Sequence, residues 1–150
     1  MPVYKLEFQI YINVPARIAY EHLNDPRNFV GLQPLLTHVD AVKFGEQGGS
    51  KTVSYETVEA FRWLGIVLYR NRIHVRTVFT RPPEQFETTV HSFPNITLNV
   101  DYTFTPKDGG VVVGEVMRVN TYTWLAKFVT GETTRVQNIL LANLKNRLES

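Results

Sequence analysis

Hydrophobic and polar residues alternate strictly where this chain begins. In "YKLEFQIYIN", Leu6, Phe8, Ile10 and Ile12 fall on one side and Lys5, Glu7, Gln9 and Asn13 on the other, the period of a half-buried strand. Asn13 and Pro15 end it, and Pro15 suits a first helical turn, where its missing N–H would be unpaired anyway. The period then becomes helical in "ARIAYEHLND". Ile18, Ala19 and Leu23 share one face, with Arg17, Glu21 and Asn24 opposite. Asp25-Pro26 stops this helix, because the residue before a proline is steered out of the α region. "RNFVGLQPLL" is apolar enough for a second short helix or turn, interrupted by Gly31 and Pro34.

From there to Thr121 the pattern is one of strands and turns. "HVDAVKF" leads through the "EQGGS" turn into "KTVSYETVEAF", and after a corner near Trp63–Gly65 comes "IVLYRNRIHVRTVF". "RPPE" turns the chain into "QFETTVHSF", a kink at Pro94-Asn95 precedes "TLNVDYTFT", and "PKDGG" leads to "VVVGEVMRVNT". With the first strand these make seven, and hairpin-length links after the second imply an antiparallel meander. The closing stretch "TWLAKFVTGETTRVQNILLANLKNRLES" repeats Leu125, Phe128, Val129, Val136, Ile139, Leu140, Leu144 and Leu148 at helical spacing. Gly131 interrupts it, and predicts a kink or a close backbone approach rather than a break. One long helix cannot cover both faces of seven strands. The sheet must curl around it, an α+β arrangement in which the short helices plug the open side between strands one and two.

Composition narrows the reading further. At 150 residues the chain is one domain, 1–150, that buries roughly 70% of its unfolded surface. Hydrophobic content of 43% and charged content of 20% are those of a globular chain. No apolar run approaches the ~20 residues of a membrane span, and residues 1–15 lack the plan of a signal peptide. The expectation is a cytoplasmic protein with no integral membrane segment. The absence of cysteine excludes disulfides and thiolate chemistry. A net charge of +2, with the basic residues dispersed, argues against nucleic acid as a partner. No nucleophile elbow, phosphate loop or metal-binding helix motif is present, so neither cofactor nor metal is expected. "NIT" at Asn95 matches a glycosylation acceptor, a common pattern that matters only in a secreted eukaryotic protein.

This order of elements, with "INVPA" leading into a short helix and then "NDPRN", resembles the SRPBCC superfamily, the helix-grip group. That group includes START lipid-transfer domains, pollen-allergen-like proteins and polyketide cyclase/dehydratase-like domains. "LQPLL", "FTPKDGGVVV" and "LLANLKNRLE" resemble its second-helix exit, last hairpin and terminal helix, so the resemblance spans the chain. It is nearest to the small bacterial, uncharacterised members. What it implies is a deep cavity between a curved seven-stranded sheet and the long helix, holding an apolar or amphipathic small molecule. The motifs mark the fold and are almost silent about chemistry.

Period two supplies candidates for the cavity wall. One face of the third strand carries Val53, Tyr55, Thr57, Glu59 and Phe61. The fourth shows Tyr69, Asn71, Ile73, Val75 and Phe79 against Arg70, Arg72, His74 and Arg76. The arginine face must meet water, so the other looks inward. Phe86, Thr88, Val90 and Ser92 continue it, then Leu98, Val100, Tyr102 and Phe104. In a solid core these hydroxyls, amides and carboxylates would be left unpaired at roughly 1–3 kcal/mol each. A few polar groups in an apolar concavity describe a ligand pocket instead. The alternative is that they bond one another or sit at the barrel mouth.

Glu59 has two readings. If buried, its pKa rises and it serves as a proton donor or an anchor for a polar head group. Otherwise it is a strand-end carboxylate in solvent or paired with an arginine. Glu115 is ambiguous, because "VVVGEVMRV" is apolar on both parities and Gly114 permits a bulge that would turn Glu115 outward. His74 and His91 are placed opposite each other on the outer face, with no carboxylate or third histidine to complete a metal site. His22 is placed on the exposed flank of the first helix, and His38 near the mouth as a ligand contact. Of the large rings, Phe29, Trp124 and Phe128 are assigned to the ligand, the latter two as a roof that Gly131 lets adjust, and Trp63 as a gate.

The leading expectation is a non-catalytic binder or carrier of a small hydrophobic molecule such as a lipid, isoprenoid, polyketide or aromatic metabolite. Tyr55, Glu59 and Asn71 would orient its polar end. The second is a cyclase/dehydratase-like enzyme with Glu59, Tyr55 or Tyr102 as acid or base. The third is a protein-interaction module. A homodimer is left open.

Overall fold

The computed structural model describes residues 2–63 and 66–150, and within 61–70 only the backbone of 61–63 and 66–70. The strands are β1 (Val3–Ile12), β2 (Leu36–Gln47), β3 (Ser50–Trp63), β4 (Ile66–Arg81), β5 (Gln85–Ser92), β6 (Ile96–Lys107) and β7 (Gly110–Asn120). A helix α1 (Ala16–Asn24) and a 3₁₀ turn (Pro26–Phe29) join β1 to β2, and α2 (Thr123–Glu149) closes the chain. The strands form one antiparallel sheet of order β1-β7-β6-β5-β4-β3-β2. This is the helix-grip architecture the pattern predicts.

Local chemistry explains the joints. Asp25 accepts a hydrogen bond from the Arg27 N–H at 3.0 Å, and Pro26 occupies the first position of the 3₁₀ turn, where no donor is needed. The buried face of α1 is Ala19, Tyr20 and Leu23, while Ile18 is 45% exposed. The expected face is therefore corrected by one position. Tyr20 carries more apolar area than Ile18, and its ring meets Phe79, Phe86 and Phe104 edge-on at 6.5, 5.9 and 5.3 Å. In β2 the register against β3 shifts twice, between Leu36 and His38 and between Asp40 and Lys43, and Ala41 has φ of 53°. Such bulges bend a strand and deepen its twist, which is how this edge curls.

Helix α2 lies along the concave face. Ala126, Val129, Val136, Leu140, Leu141 and Leu144 are its buried residues. The main core gathers Val129, Leu140, Leu141 and Leu144 of these with Ile12, Leu23, Leu32, Phe86, Val100, Val111, Val113 and Val119. A Cβ at Gly131 would meet nothing within 4 Å, so the expected close backbone approach there is corrected. The last turns of α2 are tied down by polar bonds. Arg147 donates to the carbonyls of Asn28 at 2.6 Å and Val30 at 3.0 Å, and Asn143 to that of Leu32 at 2.9 Å. Lys145 reaches the Tyr11 carbonyl at 2.8 Å, and the Asn13 N–H donates to Glu149 at 2.8 Å.

Candidate functional site

The concave face carries polar groups among apolar ones. Tyr55, Thr57, Asn71, Thr77, Thr88 and Tyr102 are buried on it beside Val53, Ile73, Val75 and Val100, while Arg72, His74 and Arg76 of β4 are exposed on the other side. Two adjoining compartments of about 120 Å³ each lie between this face and α2. The outer one is roofed by Phe128, Val129, Glu132 and Val136, over Ile73, Ser92 and Leu98. The deeper one is lined by Tyr55, Thr57, Thr88, Val100 and Tyr102, with Phe29 and Leu140 closing it. Both share Gln33, Glu59, Ile73, Val90, Leu98 and Gln137.

Glu59 faces this space from β3. Gln33, in the loop after the 3₁₀ turn, donates its Nε2 to Glu59 Oε1 at 2.6 Å. The other end of that amide is fixed as well, since Gln33 Oε1 accepts from the N–H groups of Leu35 at 2.5 Å and Leu36 at 2.9 Å. As a residue Glu59 is half-buried, but its carboxyl group is mostly enclosed. Burial pushes the carboxyl up to about 7, the Gln33 bond opposes this, and the negative Glu132 adds to it. A carboxyl poised near neutrality in a concavity can anchor a polar group or pass a proton.

A second carboxyl lies behind the cavity, and here the sequence reading is corrected. β7 pairs with both β1 and β6 without a register shift, so there is no bulge at Gly114. A Cβ at Gly114 would stand 2.8 Å from Thr103 Oγ1, so the glycine serves a close cross-strand approach. Glu115 consequently points inward and is 1% exposed. Its cross-strand neighbours are Phe8 and Tyr102, and the Tyr102 side chain acts on it as a hydrogen-bond partner that favours the charged form. With its amide nitrogen turned to the carboxylate, Gln137 of α2 donates to Oε1 at 2.9 Å and Oε2 at 3.3 Å; that orientation is assigned from the bonds it satisfies. Burial lifts this carboxyl to about 7 as well, opposed by the Tyr102 bond. The inward phase of β7 is not legible in the sequence because both its faces are apolar.

The remaining candidates divide by place. Asn71 turns its amide to Ser92 Oγ at 2.8 Å, and Thr77 and Thr88 share a hydrogen bond at 2.9 Å. Burial raises the pKa of the Tyr55 phenol, against a Thr77 bond. Phe128 lines the outer compartment although 63% exposed. Trp124 is corrected: it is 76% exposed, stacks on Tyr122 at 6.0 Å and lines neither compartment. Ala126 and Val129 set the buried stripe of this part of α2, and position 124 falls off it. His38 is corrected too, being exposed with Nε2 3.3 Å from Asp40 Oδ2 and outside both linings. His22 is half-buried rather than exposed. Its Nε2 lies 3.1 Å from Arg147 Nη1, and burial, then that cation, lower its pKa. Phe61, Trp63 and Tyr69 have side chains outside the described residues.

His74 and His91 are cross-strand partners, as the register predicts, and a carboxylate does stand by: Glu56 Oε1 is 3.2 Å from His74 Nδ1. Its other oxygen is held by Arg72 at 2.6 Å. Among the described residues no group of three or more His, Cys, Asp or Glu is placed to hold a metal ion.

A larger concavity, about 930 Å³, lies elsewhere and is open to solvent, between α1 and the β2–β3 turn, with Tyr20, Asn24, Phe44, Lys51 and Phe79 among its walls. Phe86 separates it from the inner space. Its ring stacks on Tyr102 at 4.8 Å on the cavity side and meets Phe79 at 5.8 Å and Tyr20 at 5.9 Å on the other. Glu59 lines the inner space and Glu115 touches its wall from behind through Tyr102 and Gln137, which makes that the candidate site.

Comparison with known proteins places this geometry. Residues 4–149 match the family described as polyketide cyclase / dehydrase and lipid transport. Among solved structures, TTHA0849 from Thermus thermophilus aligns with a TM-score of 0.74 and 15% identity, covering 96% of each chain. The Zhui aromatase/cyclase from Streptomyces sp. R1128 aligns at 0.64 and 13%, over 99% of this chain and 98% of that one. The di-domain ARO/CYC BexL from the BE-7585A biosynthetic pathway aligns at 0.71 and 15%, over 99% of this chain and 50% of its own. At such identities the likeness is one of fold. A search of curated proteins finds no match to this sequence.

Proposed function

This chain belongs to the polyketide cyclase / dehydrase and lipid transport family, and from that premise we propose that it binds or carries a small amphipathic molecule in the inner cavity between the sheet and α2. The observation that carries the reading is Glu59. Its carboxyl is set by Gln33 at the junction of two compartments whose other walls are largely apolar. Apolar burial supplies affinity at about 25 cal/mol per Å², and a carboxyl near neutrality orients the polar end as donor or acceptor. Compartments of about 120 Å³ are smaller than the roughly 300–1,000 Å³ of a drug-sized pocket. The cargo is therefore a compact ring or short isoprenoid rather than a long acyl chain. Among the described residues no helix is long and apolar enough to cross a membrane.

A second reading, acid–base catalysis on a polyketide-like substrate, draws support from the same carboxyl, since Tyr55 and Tyr102 line the compartment that Glu59 borders. A similar structure is named an aromatase/cyclase. Glu59 would then act as general acid near neutral pH.

Native mass spectrometry of the purified protein, before and after adding a ring compound such as 2-naphthol, tests the first reading. A retained or added small-molecule mass supports it, and a protein that holds nothing under either condition overturns it. Glu59→Gln separates the two readings. A variant that still binds but loses turnover of a polyketide-like substrate supports catalysis; unchanged turnover removes Glu59 from it.

A further inference from the structure

The cavity's deep end is built by donors that face away from it. Tyr102 and Gln137 line the deeper compartment, whereas Glu115 does not. Yet Glu115 is the group to which both direct their hydrogens. The Tyr102 phenol stands directly across from Glu115 in the β6–β7 pairing, where as a donor it favours the charged carboxylate, and with its amide assigned as above Gln137 donates to both carboxylate oxygens. A phenol has one proton, and once it is committed to Glu115 the oxygen has only lone pairs for a ligand. The Gln137 carbonyl is turned away from the carboxylate in the same orientation. Nothing from β1 competes, because the residue opposite Glu115 there is Phe8.

We propose that Glu115 is a positioning residue that fixes Tyr102 and Gln137 as hydrogen-bond acceptors, so that the cavity selects ring compounds carrying a hydroxyl donor over those carrying only an ether or ketone. This deepens the cavity reading and rests on it. The physical basis is the cost of leaving a buried acceptor without a donor, which separates a hydroxyl ligand from its methyl ether by roughly ten- to hundredfold. Glu115 touches no ligand in this scheme. It acts by holding two protons away from the place where the ligand sits.

The experiment is a calorimetric titration at pH 8 of the whole chain with 2-naphthol and with 2-methoxynaphthalene, and the quantity read is the ratio of the two affinities. In the wild type the naphthol binds at least tenfold more tightly. Tyr102→Phe removes one of the two acceptors and lowers the ratio, and Tyr102→Phe combined with Gln137→Met brings it to about one. Glu115→Gln keeps a carbonyl that can accept from Tyr102, so a preference for naphthol survives. Glu115→Met keeps the length without an acceptor, frees the phenol to donate, and erases or reverses the preference. A role in packing alone would weaken both ligands together and leave their ratio unchanged. If the wild type binds both compounds equally, or if Tyr102→Phe retains the full preference, this inference fails while the cavity reading stands. If the wild type binds neither, both fail. Should Glu115→Met not fold, Tyr102→Phe alone decides.

Discussion

Along α2, the carboxyl-terminal half from Val136 onward is fastened to the chain around it, whereas the amino-terminal half, residues 123–135, rests on the sheet through Ala126 and Val129. The fastened half buries Val136, Leu140, Leu141 and Leu144, and its last turns bond to the carbonyls of Tyr11, Asn28, Val30 and Leu32. The resting half exposes Trp124 and Phe128 and roofs the outer compartment. One helix thus serves as both anchor and cover. The difference teaches that the roof of the cavity and the anchorage of the helix lie on separate stretches, so that the roof can loosen while the anchor holds.

The comparison breaks most clearly at Leu144, which is 0% exposed. Leu144→Ala should cost about 2–5 kcal/mol in urea denaturation. Phe128→Ala, on the cover, should change stability by no more than ~0.5 kcal/mol while weakening retention of a ring ligand. Equal losses from the two would mean the halves are not distinct.

Acidity sharpens the contrast next. Glu59 lies under the cover near Glu132, and Glu115 beneath Gln137 of the anchored half. Burial lifts both carboxyls from 4.5 to about 7, so between those values the folded chain holds protons that the unfolded chain has released. Their contribution is therefore fully present below about pH 4.5 and is lost as pH rises through about 7, by at most ~3 kcal/mol for each group. Denaturation at pH 5 and pH 8 should show this fall, and Glu59→Gln and Glu115→Gln should each flatten it. A stability that stays level over that range would place the carboxyls in water.

The smallest effect is at Gly131, where an added Cβ meets open space. Gly131→Ala should stabilise the helix by up to ~1 kcal/mol and slow amide exchange in the covering half specifically. Slowing in the anchored half instead would contradict the division.

Much of this architecture is readable where the two faces of an element differ in chemistry. The arginine stripe of β4 identifies its outer face, and with it the inward phase of Tyr55, Thr57, Ile73 and Thr88. Where both faces are apolar, as in β7, period two carries no phase. Only the pairing of β7 with β1 and β6 fixes the side to which Glu115 points. Glu59 falls on the inward strand face by pattern alone, but its partner Gln33 comes from a loop whose path no periodicity describes. Helical spacing by itself favours Trp124 as a roof and Ile18 as a core residue. Packing prefers Val129 to the first and Tyr20 to the second, because a short helix turns toward whichever large ring finds neighbours.

The Phe86 partition has a consequence for traffic. With rings filling the route from the α1 side, a molecule that reaches Tyr102 arrives beneath the near end of α2 and leaves by the same door. On the proposed carrier reading, loading and delivery would exclude each other in time, the behaviour of a single-berth shuttle and not of a conduit.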